Sequence, residues 1–135
     1  MKLATRTCRK EVFIVDDSCV VRERLVDLLS DMPQVKVVGQ AGTAADAIRQ
    51  IRKLKPAVVV LDISMPGGNG ISVLEEIRRA DSAATVIMLT NFSQEQYRQK
   101  CVNLGANYFF DKSTEFDQVR NVLERLEGRS TAATR

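Results

Sequence analysis

Residues Ala57-Val58-Val59-Val60-Leu61 form the longest uninterrupted apolar stretch of the chain, and the carboxylate of Asp62 ends it. A short Val-rich run without polar alternation predicts a strand buried on both faces, as in the middle of a parallel sheet. The same reading applies to Val12 to Val15, which ends in Asp16-Asp17-Ser18, and to Thr85 to Leu89, which ends in Thr90. Val35 to Val38, broken by Lys36, and the aromatic run Tyr108 to Phe110, followed by Asp111-Lys112, complete a set of five. Between them the apolar residues step at helical spacing: Val21, Leu25, Leu28 and Met32; Ala44, Ala47, Ile48, Ile51 and Leu54; Ile71, Leu74 and Ile77. Ser18, Thr43, Ser93 and Thr114 are placed as N-caps. Ser93 with Gln96 makes a capping box, Phe92 with Tyr97 a hydrophobic staple, and Gly105 and Gly128 stop the last two helices. Five strands alternating with five helices predict a doubly wound α/β fold: a five-stranded parallel sheet covered by helices on both faces.

The 135 residues fit one domain, at roughly 100–200 residues per domain. With 44% hydrophobic and 27% charged residues the composition is that of a globular protein, and no stretch is apolar enough to span a bilayer or act as a secretory signal. The expected location is the cytoplasm. Cys8, Cys19 and Cys101 have no paired spacing and read as reduced thiols. Histidine is absent, which excludes Ser-His and Cys-His nucleophiles and histidine metal sites. The formal charge of +3 is carried by the ends: between Glu11 and Glu127 there are 14 basic and 17 acidic residues. This divides the chain into a basic arm at 1–10, a folded domain at 11–127 and a flexible tail at 128–135. Neither end carries an aromatic residue on which a base could stack, so the chain does not read as a nucleic-acid binder.

In doubly wound folds the functional crevice lies beyond the carboxyl ends of the strands. Asp16, Asp17, Asp62, Thr90 and Lys112 all follow strand ends. Crowded carboxylates raise each other's proton affinity unless a cation intervenes. An all-oxygen donor set without histidine or cysteine favours Mg²⁺, with Mn²⁺ as the alternative. Carboxylate, metal, hydroxyl and ammonium together are the parts of in-line phosphoryl transfer, so the chemistry expected is phosphorylation of an aspartate.

Asp16-Asp17, Asp62 before Ser64-Met65-Pro66-Gly67, Thr90, and Gly105-Ala106 ahead of Lys112 closely resemble a response-regulator receiver domain, over about residues 11–127. The resemblance implies a flavodoxin-like, five-stranded receiver fold in which Asp62 is the phospho-acceptor. It implies metal binding by Asp16, Asp17, Asp62 and the Ser64 carbonyl, with Asp16 acting largely through metal-bound water. Lys112 would pair with the phosphoryl group, Thr90 would move its hydroxyl onto a phosphoryl oxygen, and Phe109 would be the switch aromatic. Implied partners are a histidine kinase or histidine phosphotransfer protein and a downstream protein target. The implied state is a monomer or a phosphorylation-dependent dimer. The chain reads as a stand-alone receiver that is not an enzyme beyond its own phosphotransfer and dephosphorylation, signalling through a surface near Gln94 to Leu126. The alternatives are a receiver fragment of a longer DNA-binding regulator and a degenerate receiver acting as an interaction module.

Some positions depart from the family pattern. Ser113 stands where a proline after a cis bond is common, leaving cis and trans both open for Lys112-Ser113. Asn91 and Phe92 are bulkier than usual, and Phe109 lacks a phenol. Phe92 has no group with which to orient a water, so slow loss of the phosphoryl group is expected. A flavin-binding module of the same architecture would suffer repulsion between the flavin phosphate and Asp16-Asp17. A haloacid-dehalogenase-type phosphatase would need an acid where Ser64 stands.

Overall fold

Val-rich runs pair into a sheet because branched side chains pack well on a pleated surface. The computed structural model describes residues 9–65, 68–80 and 82–133, with side chains up to residue 126. Its main strands are β1 (Lys10–Val15), β2 (Val35–Ala41), β3 (Val58–Leu61), β6 (Thr85–Thr90) and β7 (Tyr108–Asp111), with a short pair, β4 (Ser64–Met65) and β5 (Gly68–Asn69). The helices are α1 (Cys19–Leu29), α2 (Ala44–Leu54), α3 (Gly70–Arg79), α4 (Glu95–Asn103) and α5 (Gln118–Ala133). All five main strands are parallel, in the order β2-β1-β3-β6-β7, while β4 and β5 pair antiparallel. The chain leaves β1 toward β2 on one side and returns to β3 on the other, so the crevice opens beyond the ends of β1 and β3.

Side chains alternate across the sheet and divide the core in two. Phe13, Val15, Val59, Leu61, Val86, Met88 and Phe109 pack with α2, α3 and α4. Val12, Ile14, Val58, Val60, Ile87 and Leu89 pack with α1 and α5. Tyr108 and Phe110 join the second layer and stack at 6.1 Å, opposite to Phe109.

Several boundaries differ from the sequence reading. Lys10, assigned to the basic arm, pairs with Val35 at the start of β1; residues 1–8 of the arm, Cys8 among them, lie outside the described residues. Strand β2 runs on to Ala41 through a register shift between Val12 and Phe13. A Cβ on Gly39 would stand 2.8 Å from Cε1 of Phe13, so the glycine that looks like a loop residue makes room for a core ring. On α1 the buried residues are Leu25 and Leu29, with Met32 beyond the helix, and Leu28 is only half-buried. Ser18 and Thr43 cap as expected, accepting from the amides of Val21 and Asp46. Ser93 does not: the N-cap of α4 is Gln94, without a side-chain bond, and the Ser93 hydroxyl donates to Asp111 instead. Thr114 is no cap either, because α5 begins at Gln118. Gly105 ends its element with a φ of 105°, as expected, whereas α5 continues past Gly128 to Ala133, through most of the segment read as a flexible tail. Residues 134 and 135 lie outside the described residues. Peptide bonds are trans throughout the described residues, Lys112-Ser113 included.

Arg78 ties α3 to the connection before β7. Its guanidinium donates to the carbonyls of Gly105, Ser82 and Ala84 and to Oδ1 of Asn107, which itself accepts from the Val86 amide at 2.8 Å. Arg78→Ala strands several carbonyls at once and is expected to cost about 2–3 kcal/mol. The thermal midpoint should fall by roughly 10 °C, and an unchanged midpoint would contradict this account.

Candidate functional site

Asp16 follows β1 and is buried, its Oδ1 accepting from the Ser18 amide at 2.9 Å. That bond turns the chain into α1 and leaves Asp17 exposed. Arg22, which the sequence reading passed over, holds the turn: its Nη1 donates to the Asp16 carbonyl at 2.6 Å and its Nε to Oε1 of Gln40 at 2.8 Å. A basic residue five positions beyond the acidic pair, in the first turn of the following helix, was the available signal.

Asp62 is the second buried carboxylate, and its amide donates to the Val15 carbonyl at 3.0 Å, fixing it beside the end of β1. Carboxylate oxygens of Asp16, Asp17 and Asp62 lie within 4.8 Å of one another. The Lys112 ammonium bridges two of them, 2.7 Å from Asp16 Oδ2 and 3.1 Å from Asp62 Oδ2. Burial pushes the Asp16 carboxyl above its usual range, against the opposing pull of the Lys112 hydrogen bond. Burial would also lower the Lys112 ammonium, but the Asp16 bond and the two negative charges outweigh it and hold the lysine above its ordinary value. Among the described residues the positive charge set against the two buried acids is the protein's own Lys112, at the cluster where the sequence reading expects a divalent ion.

Thr90, fully buried at the end of β6, accepts the Phe92 amide on Oγ1 at 3.1 Å, and its carbonyl accepts from the Lys112 amide at 2.9 Å. A cavity of about 360 Å³ opens over these groups, lined by Asp17, Asp62, Ser64, Thr90, Phe92 and Lys112 among others. The Phe92 ring stacks on Tyr97 at 5.5 Å, so the expected staple forms while Phe92 still borders the cavity. Phe109 is buried under α4, with the Arg98 guanidinium carbon 5.0 Å from its ring centroid. Pro66 and Gly67 lie outside the described residues.

Two further features escaped the sequence reading. Gly70 opens α3 directly against Asp62, where a Cβ would fall 1.8 Å from the Asp62 carbonyl oxygen. Asp111 organises the lysine loop, its Oδ1 accepting from the amides of Ser113 and Thr114 and its Oδ2 from Ser93 Oγ at 2.6 Å. These bonds, the Ser93 hydroxyl foremost, hold the Asp111 carboxyl below its usual range.

Because Lys112 is the only positive side chain on the two buried acids among the described residues, Lys112→Met is expected to destabilise the metal-free protein by about 3 kcal/mol, the penalty of leaving buried charges unpaired. Added Mg²⁺ should raise the melting temperature of this variant more than that of the unvaried protein. Equal metal-free midpoints would show that the bridge carries no stability.

Fold and site together define a doubly wound α/β domain with an acid pocket and a single lysine at the strand ends. The chain belongs to the response regulator receiver domain family, whose model matches residues 12–124. It is 34% identical over 121 residues to the DNA-binding transcriptional activator DevR/DosR of Mycobacterium tuberculosis, a match that covers 89% of this chain and 56% of that protein. Among solved structures it is similar to the response regulator domain of Thermotoga maritima CheB, with 33% identity and a TM-score of 0.77 over 89% of this chain and 95% of that one. It is also similar to a CheX-CheY-BeF3-Mg complex from Borrelia burgdorferi, with 26% identity and a TM-score of 0.77 over 88% and 92% of the two chains. The chain spans between 30% and 57% of the length of the curated relatives it matches. Among the described residues no helix is long and apolar enough to cross a membrane.

Proposed function

We propose that this chain is a phosphorylation-switched signalling domain that accepts a phosphoryl group on Asp62 from a histidine kinase or histidine phosphotransfer protein in the cytoplasm. The observation that carries the reading is the convergence of Asp17, Asp62, Thr90 and Lys112, from four separate strand ends, on one open cavity, with Asp16 buried beside it and paired with Lys112. Hard oxygen donors from the three aspartates and the Ser64 carbonyl fit Mg²⁺ or Mn²⁺, which when bound would neutralise charge on the phosphoryl oxygens. In the transfer an Asp62 carboxylate oxygen forms a bond to phosphorus as the donor's P–N bond breaks. The donor imidazole leaves with that electron pair and takes a proton from solvent. Lys112, in contact with Asp62 at 3.1 Å, would pair with the new phosphoryl group, and the hydroxyl of Thr90, which lines the same cavity, would follow it.

The surface formed by α4, β7 and α5 is the proposed output face, engaging a protein partner. Its α4 is the least anchored helix in burial: Cys101 is its one buried residue, and its N-cap makes no side-chain bond. Phe109 beneath it has no hydroxyl, so the change it transmits is steric. A small phosphodonor with Mg²⁺ tests the assignment: intact mass should rise by one phosphate, the gain should be removed by hydroxylamine, and chelation of the metal should prevent it. No gain, or a hydroxylamine-stable one, would contradict it.

A further inference from the structure

The loop carrying Thr90 and the loop carrying Lys112 are stitched together by side chains of which only Asn91 lines the acid pocket. Ser93 Oγ donates to Asp111 Oδ2 at 2.6 Å, the length of a hydroxyl bonded to an ionised carboxylate. Ser113 Oγ donates to Asn91 Oδ1 at 3.3 Å across the same gap. Asp111 is itself fixed, because its Oδ1 accepts from the Ser113 and Thr114 amides, its amide donates to Glu115 Oε1 at 2.9 Å, and its carbonyl accepts from the Glu115 amide at 2.8 Å. On the other loop Thr90 Oγ1 is held by the Phe92 amide at 3.1 Å, one residue before Ser93. A displacement of the Thr90 hydroxyl toward a group on Asp62 must stretch that contact or draw residues 91–93 along. Ser93, anchored on Asp111, resists the second course.

We propose that Ser93 and Asp111 are positioning residues: their hydrogen bond latches the Thr90 loop to the lysine loop in the resting arrangement and sets the cost of switching. The inference rests on the receiver reading of the site. Releasing the latch favours the switched state, because a ligand that binds one state better gains whatever the other state loses. The latch acts through Thr90 and the backbone around it, so it leaves the metal ligands untouched.

Binding of beryllium fluoride with Mg²⁺ tests this, read as the dissociation constant for Ser93→Ala, Ser93→Thr, Asp111→Asn and the Ser93→Ala/Asp111→Asn pair. Ser93→Ala should bind on the order of tenfold more tightly than the unvaried protein, the weight of one hydrogen bond to a charged group, with the affinity for Mg²⁺ alone unchanged. Ser93→Thr, which keeps a hydroxyl, should return the affinity to its original value. In the Asp111→Asn background the effect of Ser93→Ala should shrink, which is the signature of a direct coupling. A merely structural role would instead lower affinity and melting temperature together. Unchanged or weaker binding by Ser93→Ala, or an undiminished effect in the Asp111→Asn background, would overturn the latch. Failure of the unvaried protein to bind beryllium fluoride with Mg²⁺ would overturn the receiver reading, and the latch with it.

Discussion

Asp62→Asn is expected to take up no phosphate from a small phosphodonor under conditions in which the unvaried protein is labelled. The amide has nearly the shape of the carboxylate, but it lacks the anionic oxygen that attacks phosphorus. The fold should tolerate the change. Lys112 keeps its 2.7 Å contact with Asp16, and the repulsion that Asp62 exerts on Asp16, one of the influences raising the Asp16 carboxyl, is removed. Without metal the melting temperature should therefore match or exceed that of the unvaried protein. Two results would count against this account: phosphate taken up to a similar extent elsewhere, or a clear loss of metal-free stability, which would make Asp62 a structural partner first.

Gly70→Ala should be the most damaging single-methyl change near the site. The added Cβ would fall 1.8 Å from the Asp62 carbonyl oxygen and 2.7 Å from its carbon, and neither backbone atom can swing aside as a flexible side chain would. Gly70 also donates its amide to the Ile63 carbonyl at 2.7 Å, so the start of α3 and the acceptor turn are locked at this close approach. Relief requires α3 to part from the turn, at an expected cost of at least about 3 kcal/mol. Phosphorylation should fall with it, since Asp62 moves with its own backbone. Thermal melts and phosphodonor labelling of the variant check both, and near-normal values in each would show that the approach is looser than described.

Much of this was legible in the amino-acid order because burial on both sheet faces leaves an unmistakable trace. Val58 to Leu61 and Val86 to Leu89 are apolar at every position, and the polar residue that ends each run is by topology a pocket residue. What stayed hidden depends on pairing across the fold. Gly39 reads as a loop until the Phe13 ring is seen against it, and Gly70 as an ordinary turn glycine until Asp62 lies behind it. Ser93 has the sequence context of a helix cap. It takes another partner because its hydroxyl donates to Asp111, eighteen residues on, at 2.6 Å, and a charge-assisted bond to a carboxylate is stronger than the neutral amide-to-hydroxyl bond of a cap. Gly128 has the look of a C-terminal helix stop, yet nothing in a single glycine obliges a helix to end, and α5 continues to Ala133.

The residue to which a phosphoryl group attaches decides whether Asp62 is the acceptor. Phosphorylating the protein with a small phosphodonor in Mg²⁺, reducing the acyl phosphate with borohydride and sequencing the peptides by mass spectrometry reads the position directly, because an aspartyl phosphate becomes homoserine. Homoserine at residue 62 alone is the result predicted here; homoserine at residue 16 or 17, or none at all, would contradict it.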